Sequence, residues 1–170
     1  FTLLALLIMF LISIVKTEFI IKFTSHLFII SLILLALVPI IGVEVKGAKR
    51  WLDLYFFRLQ PIEILKPLFI LITVKILTFE KFKDSQIKYI FSFILLSSVI
   101  ILLIDQPDLG QSILLIGSWV ATVFISGVSL TYISIFFFLF FISLSSILFF
   151  FPEKFGYVIN RLVTFFDPNQ

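Results

Sequence analysis

Apolar residues run in long blocks along this chain, at 1–15, 27–43, 61–78, 89–104, 109–127 and 131–151, and polar residues collect in the gaps. Each block is continuous rather than alternating, which predicts helices apolar on every side instead of strands with one wet face. A membrane-crossing helix needs about 20 such residues. Several blocks fall slightly short, and flanking Phe, Tyr and Lys bring the interface inward to meet them. Block 1–15 reads as one end of a span. The gaps predict connections at Lys16–His26, Val43–Gln60 and Phe79–Lys88, with tight joints at Asp105–Gly110 and Ser126–Thr131. No fixed-period repeat or low-complexity linker divides the blocks, so the prediction is a single transmembrane helical domain over 1–170, all-α and polytopic.

Composition agrees. The chain is 61% hydrophobic with 24 Phe and a mean hydropathy of +1.24, more apolar surface than a water-soluble domain can bury. Without cysteine it has no disulfide, thiolate chemistry or Cys-ligated metal. The one histidine, His26, stands beside Lys22 at the start of an apolar run and reads as an interfacial structural residue. A net charge of +3 with no basic stripe fits anionic headgroups or anionic substrates, not nucleic acid. Orientation does not follow from the cations. Lys16, Lys22, Lys75, Lys81, Lys83 and Lys88 fall on one side, and Lys46, Lys49, Arg50, Arg58, Lys154 and Arg161 on the other. The chain opens Phe1-Thr2-Leu3 without an initiator methionine, so the expectation is an internal piece of a longer membrane protein.

Against that background, Gly47-Ala48-Lys49-Arg50-Trp51-Leu52 and Gln60-Pro61-Ile62-Glu63-Ile64-Leu65-Lys66 concentrate charge in a lipid-soluble chain. The stretch Val45–Leu59 has too many apolar residues for a solvated loop and too many interruptions for a span. It predicts a short element lying in the interface, with Trp51 and Tyr55 at headgroup level. Two readings stay open on residue types: anchoring by Trp, Tyr, Lys and Arg, or a polar site.

Pro61 opens the next helix without losing a hydrogen bond, and Glu63 and Lys66, three apart, share one face. Lys66 then lies roughly 8 Å below the helix start, inside the apolar layer, where a lysine costs on the order of 3 kcal/mol unless it finds a partner. Glu63 is that partner. Pro67 lacks an N–H and frees the Glu63 carbonyl at the same depth, so a polar cavity is expected there beside the alternative of a structural ion pair. The joint Asp105-Gln106-Pro107-Asp108-Leu109-Gly110-Gln111 repeats the design, with Pro107 opening a helix and Asp108 in its first turn. Capping accounts for Asp108 alone. Two acids in so tight a joint leave Asp105 and Asp108 available to the cations near Arg50.

These segments resemble the signatures of the SEDS family (shape, elongation, division and sporulation): Gly47-Ala48-Lys49-Arg50-Trp51, Gln60-Pro61-x-Glu63-x-x-Lys66 and Gln106-Pro107-Asp108-Leu109-Gly110 stand in that family's order. Val45-Lys46 is more similar to the division-type members. The resemblance implies about six helices of a bundle of about ten, with 43–60 as an external interfacial connection and 152–170 as the start of a large external loop. It implies polymerisation of lipid II on the outer face of the bacterial inner membrane, at the septum, with a class B penicillin-binding protein and divisome proteins as partners. Lys49, Arg50, Arg58, Gln60, Glu63, Lys66 and Asp108 become candidate substrate-binding residues, and a divalent cation (Mg or Mn) a candidate cofactor. Ile62 replaces the family's usual serine. The family's catalytic aspartate, in a His-Thr-Asp segment, is expected after Gln170, so no catalytic residue is expected within these positions. A lipid II flippase and a scaffold for the transpeptidase are the other functions the resemblance leaves open.

Overall fold

A computed structural model describes residues 2–45, 48–79, 86–106, 108–129, 131, 134–138 and 141–142. Helices form where the apolar blocks predict them: α1 (Thr2–Ile14), α2 (Thr17–Ile41), α3 (Pro61–Leu77), α4 (Ile87–Asp105) and α5 (Leu109–Ile125). In a bilayer every backbone polar group must be satisfied within the segment, and the helix does this for any apolar sequence. By length and composition α2 and α4 can each cross a membrane. Residues 1–127 make one compact unit and 128–170 a second, in which 134–138 and 141–142 are helical. The segment 152–170 lies outside the described residues.

Inward faces are set by small polar residues as much as by large apolar ones. In α2 the buried stripe is Thr24, Phe28, Ser31, Leu35 and Val38; in α4 it is Ser92, Leu96, Val99 and Leu103. These recur at steps of three and four, the spacing of one helix face. Large apolar side chains such as Ile29, Ile33, Phe91 and Ile94 point outward. Lipid tails are as apolar as leucine, so burying Leu brings no hydrophobic gain there, and small residues that let backbones approach take the contacts. Their hydroxyls bond back to the helix, as Thr24 does to the Ile20 carbonyl at 2.8 Å and Ser92 to that of Tyr89 at 2.9 Å. Central among these helices is α3, which packs on α2, α4 and α5.

A buried bond joins two of them: Trp119 Nε1 of α5 donates to Ser92 Oγ of α4 at 3.2 Å. Trp119→Phe keeps most of the ring and removes this bond, and Ser92 still has its own acceptor. Interhelical bonds in membranes average about 0.6 kcal/mol, so a fall in Tm of only a few degrees is expected by thermal unfolding in detergent. A collapse of the fold would show that the bond matters more than its type suggests.

Two connections differ from expectation. Lys16–His26 is not a loop: α2 begins at Thr17, with Lys16 as its N-cap and Glu18 in the first turn, where the helix dipole favours it. Lys22 and His26 are one turn apart and both exposed, so the helix runs through them with their polar ends outward. Where a short interfacial element is expected over Val45–Leu59, the structure has a ribbon of three antiparallel strands, β1 (Val43–Val45), β2 (Ala48–Asp53) and β3 (Arg58–Leu59), in the order β1-β2-β3. Val43 faces Trp51, Glu44 faces Lys49, and Leu52 faces Leu59. Pairing satisfies the backbone of a short segment that has no room for a helix. Leu52 anchors the ribbon by burial, and the Asp53 carboxylate accepts from Tyr55 N at 3.0 Å to shape the turn at its far end, where Tyr55 takes a φ of 67°. That tip is apolar and open: Tyr55 is 91% and Phe56 89% exposed.

Candidate functional site

The C-terminal ends of α2 and α4 and the N-terminal ends of α3 and α5 meet at one end of these helices, where the ribbon and the α4–α5 joint also lie. Two polar groupings form there. In the first, Lys66 Nζ is 2.8 Å from Glu63 Oε2 and donates to Gln111 Oε1 at 2.8 Å, while Gln111 Nε2 donates to Glu63 Oε1 at 2.9 Å. Glu63 and Lys66 meet because they are one turn apart on α3, and Gln111 reaches them from the first turn of α5. An ammonium carries three N–H groups. Two are taken, and the Lys66 side chain is 25% exposed. Pro67, within α3, offers no N–H to the Glu63 carbonyl, which adds an acceptor beside the pair.

In the second grouping, Arg50 of β2 reaches the α4–α5 joint. Its Nε donates to the Gln106 carbonyl at 3.3 Å and lies 3.7 Å from Asp108 Oδ2. Asp108 is only 6% exposed, and burying its carboxylate is tolerable because cation and backbone both face it. It is the N-cap of α5, accepting from Gln111 N at 3.4 Å, not a first-turn residue as expected: Leu109, not Pro107, begins the helix. Gln111 therefore joins the groupings, with its backbone on Asp108 and its side chain on Glu63 and Lys66.

Of the residues the sequence singled out, Arg50, Glu63, Lys66 and Asp108 belong to this network. Lys49 alternates with Arg50 along β2 and so points to the other face of the ribbon, exposed. Arg58 pairs with Asp53 of its own ribbon at 3.8 Å. Gln60 is the N-cap of α3 but gives no side-chain cap; its carbonyl accepts from Glu63 N at 3.1 Å. Asp105 is exposed at the end of α4 and does not pair with Arg50. Sequence reasoning gives no role to the side chains of Gln106 and Gln111. For Gln111 a signal is present, since Asp108-x-x-Gln111 has the spacing of a capping box; Gln106 has none within its own segment. Among the described residues no three carboxylate or imidazole groups come together, and the carboxylates of Glu63 and Asp108 are both engaged by cations. This donor set does not fit a divalent metal.

The cap gives a measurable contrast. Asp108→Ala removes both the cap and the charge facing Arg50, whereas Asp108→Asn keeps a capping oxygen. A cap is worth about 1 kcal/mol, so Asp108→Ala is expected to lower thermal stability by at least that much and Asp108→Asn by less. Equal losses would show that charge, not capping, dominates at Asp108.

Comparisons with known proteins point one way. The FtsW/RodA/SpoVE family model, described as "Cell cycle protein", matches residues 1–170. A protein of Aliivibrio salmonicida named Probable peptidoglycan glycosyltransferase FtsW is 38% identical over 111 residues, 64% of this chain and 28% of that protein. One of the same name from Wigglesworthia glossinidia brevipalpis is 35% identical over 149 residues, 86% of this chain and 38% of the other. A solved structure described as "Structural coordination of polymerization and crosslinking by a peptidoglycan synthase complex" aligns at a TM-score of 0.75 and 30% identity, covering 97% of this chain and 48% of its own. The chain thus spans less than half the length of these relatives.

Proposed function

This chain belongs to the FtsW/RodA/SpoVE family of membrane proteins, and from that premise we propose that it carries the anion-binding wall of a peptidoglycan glycosyltransferase that polymerises lipid II. One observation supports this above the others: Arg50 and Lys66 are brought, through Gln111 and the first turn of α5, into one connected network at one end of an apolar bundle. Two cations and a helix N-terminus in a low-dielectric setting attract a pyrophosphate.

In the reaction an acceptor hydroxyl attacks the anomeric carbon of a polyprenyl-pyrophosphate-linked sugar. A new C–O bond forms, the bond from that carbon to the pyrophosphate breaks, and the departing group takes the electron pair. Negative charge grows on the leaving oxygen, and fixed cations stabilise it without reorganising. Lys66, with Glu63 and Gln111 holding it, is assigned to that oxygen. Arg50 grips a phosphate with a planar fork that a lysine does not copy. The hydroxyl's proton needs a base. Glu63 is tied to Lys66 and Asp108 to Arg50, so neither is assigned the role. The base belongs to a carboxylate elsewhere in the whole protein.

The same premise supports an external face for the ribbon, with the Tyr55–Phe56 tip at headgroup level, in the bacterial inner membrane at the division septum. It supports a class B penicillin-binding protein as partner, since the similar structure is of a synthase complex. Divisome proteins and the membrane complete the assembly.

The test uses the whole protein with its transpeptidase partner and purified lipid II, with glycan strands resolved on gels. A ladder of strands is expected. No polymer from an intact complex that moves lipid II across sealed vesicles would replace this reading with a flippase, and no activity of either kind would leave a scaffold.

A further inference from the structure

We propose that Gln106 is a positioning residue that sets the orientation of Arg50, and that Pro39 of α2 is what makes this possible. The inference rests on the reading of Arg50 as a phosphate contact. In an α-helix each N–H bonds the carbonyl four residues back. Pro39 has none, so the Leu35 carbonyl is left without its helical donor. Leu35 is fully buried (0% exposed), and no water reaches an orphaned carbonyl in such a place. The missing donor comes from 71 positions away: Gln106 Nε2 donates to the Leu35 carbonyl at 3.0 Å.

Gln106 is itself buried, 3% exposed, as the C-cap of α4. Its own N–H bonds the Leu103 carbonyl at 3.2 Å, and Asp108 N bonds the same carbonyl at 3.0 Å. The joint is thus held from α4 through its backbone and from α2 through one side chain. The Gln106 carbonyl takes the Arg50 Nε hydrogen, with Asp108 Oδ2 beside the same nitrogen. Holding Nε constrains the orientation of the guanidinium, and with it the direction of the terminal nitrogens that make the fork. A proline in one helix, a glutamine between two others and an arginine on the ribbon form a relay that sets the angle at which phosphate is gripped.

This predicts a particular failure and a particular rescue. Gln106→Met keeps side-chain length and removes the donor, so the Leu35 carbonyl is orphaned and the joint is released from α2. Adding Pro39→Ala returns an N–H to position 39, and α2 satisfies Leu35 internally while the joint stays released. Both forms of the whole protein, with its partner, are assayed for thermal unfolding and for KM and kcat with purified lipid II. If the proposal holds, the double variant regains wild-type thermal stability but keeps a KM raised about tenfold, with kcat changed less than about twofold. A double variant that regains wild-type KM along with stability would overturn it and leave Gln106 a purely structural residue. Failure of Gln106→Met alone to fold does not remove the test, which the double variant carries. Arg50→Ala in the same assay separates the two inferences. A KM raised about thirtyfold supports the site, and the double variant then decides the positioning role. An unchanged KM overturns the site and the positioning role together.

Discussion

Whole protein carrying Lys66→Met is expected to polymerise lipid II about 100-fold more slowly than the wild type, mainly through kcat, and to unfold within about 4 °C of it. The first half follows from where charge develops. Removing one oxyanion-type donor costs roughly 100- to 1,000-fold in turnover, and Lys66 is a cation set into the bundle with one N–H not committed to Glu63 or Gln111. The second half follows from exposure. Glu63 is 50% exposed, so stranding it costs about what a surface ion pair is worth, at most about 1 kcal/mol, which is a few degrees in a protein of this size or larger. Glu63→Gln is the contrast: the amide oxygen still accepts from Lys66, so turnover should fall less than about fivefold. Full-rate polymerisation by Lys66→Met would remove the lysine from the mechanism.

Arg50→Lys is expected to raise the KM for lipid II nearly as much as Arg50→Ala, about thirtyfold, although it keeps the charge. A lysine carries its three donors on one terminal atom. It cannot leave a nitrogen at the Gln106 carbonyl, where Arg50 Nε lies at 3.3 Å, and also present a fork beyond it. A phosphate held equally before and during reaction contributes uniform binding, so the loss should appear in KM and little in kcat. Steady-state kinetics on the two variants beside the wild type would check it. A lysine variant with normal KM would reduce Arg50 to a source of charge and contradict the orientation relay.

Much of this site is legible in the order of residues alone. Glu63 and Lys66 are neighbours because a helix makes them so, and Pro61 marks where that helix begins. Asp108 belongs to a joint too short to be anything else, and its role shifts by only one step, from first turn to cap. Where the sequence misleads, the causes are physical. Lys22 and His26 suggest a connection because charge usually ends a span, yet their exposed ends let α2 run past them. The ribbon is hidden because its strands are too short to show alternation clearly, and Gly47-Ala48 gives no turn signal strong enough to set a register. Lys49, Arg50 and Arg58 stand alike in the sequence as candidate substrate-binding cations. Strand alternation turns Lys49 away from Arg50, and Asp53 claims Arg58.

By itself the sequence determined that the apolar blocks lie in a membrane as helices, and it determined the one-turn pairing of Glu63 with Lys66, because apolar length and 3.6-residue periodicity are local properties. Only the tertiary structure decided that Arg50 and Lys66 share a network, that Gln111 bridges them, and that Gln106 completes a helix interrupted by Pro39. Those contacts join residues 45 to 71 positions apart. Helices that are apolar all round carry too little asymmetry to say which face turns inward, so the pairing waits on how small Ser and Thr faces let the backbones approach.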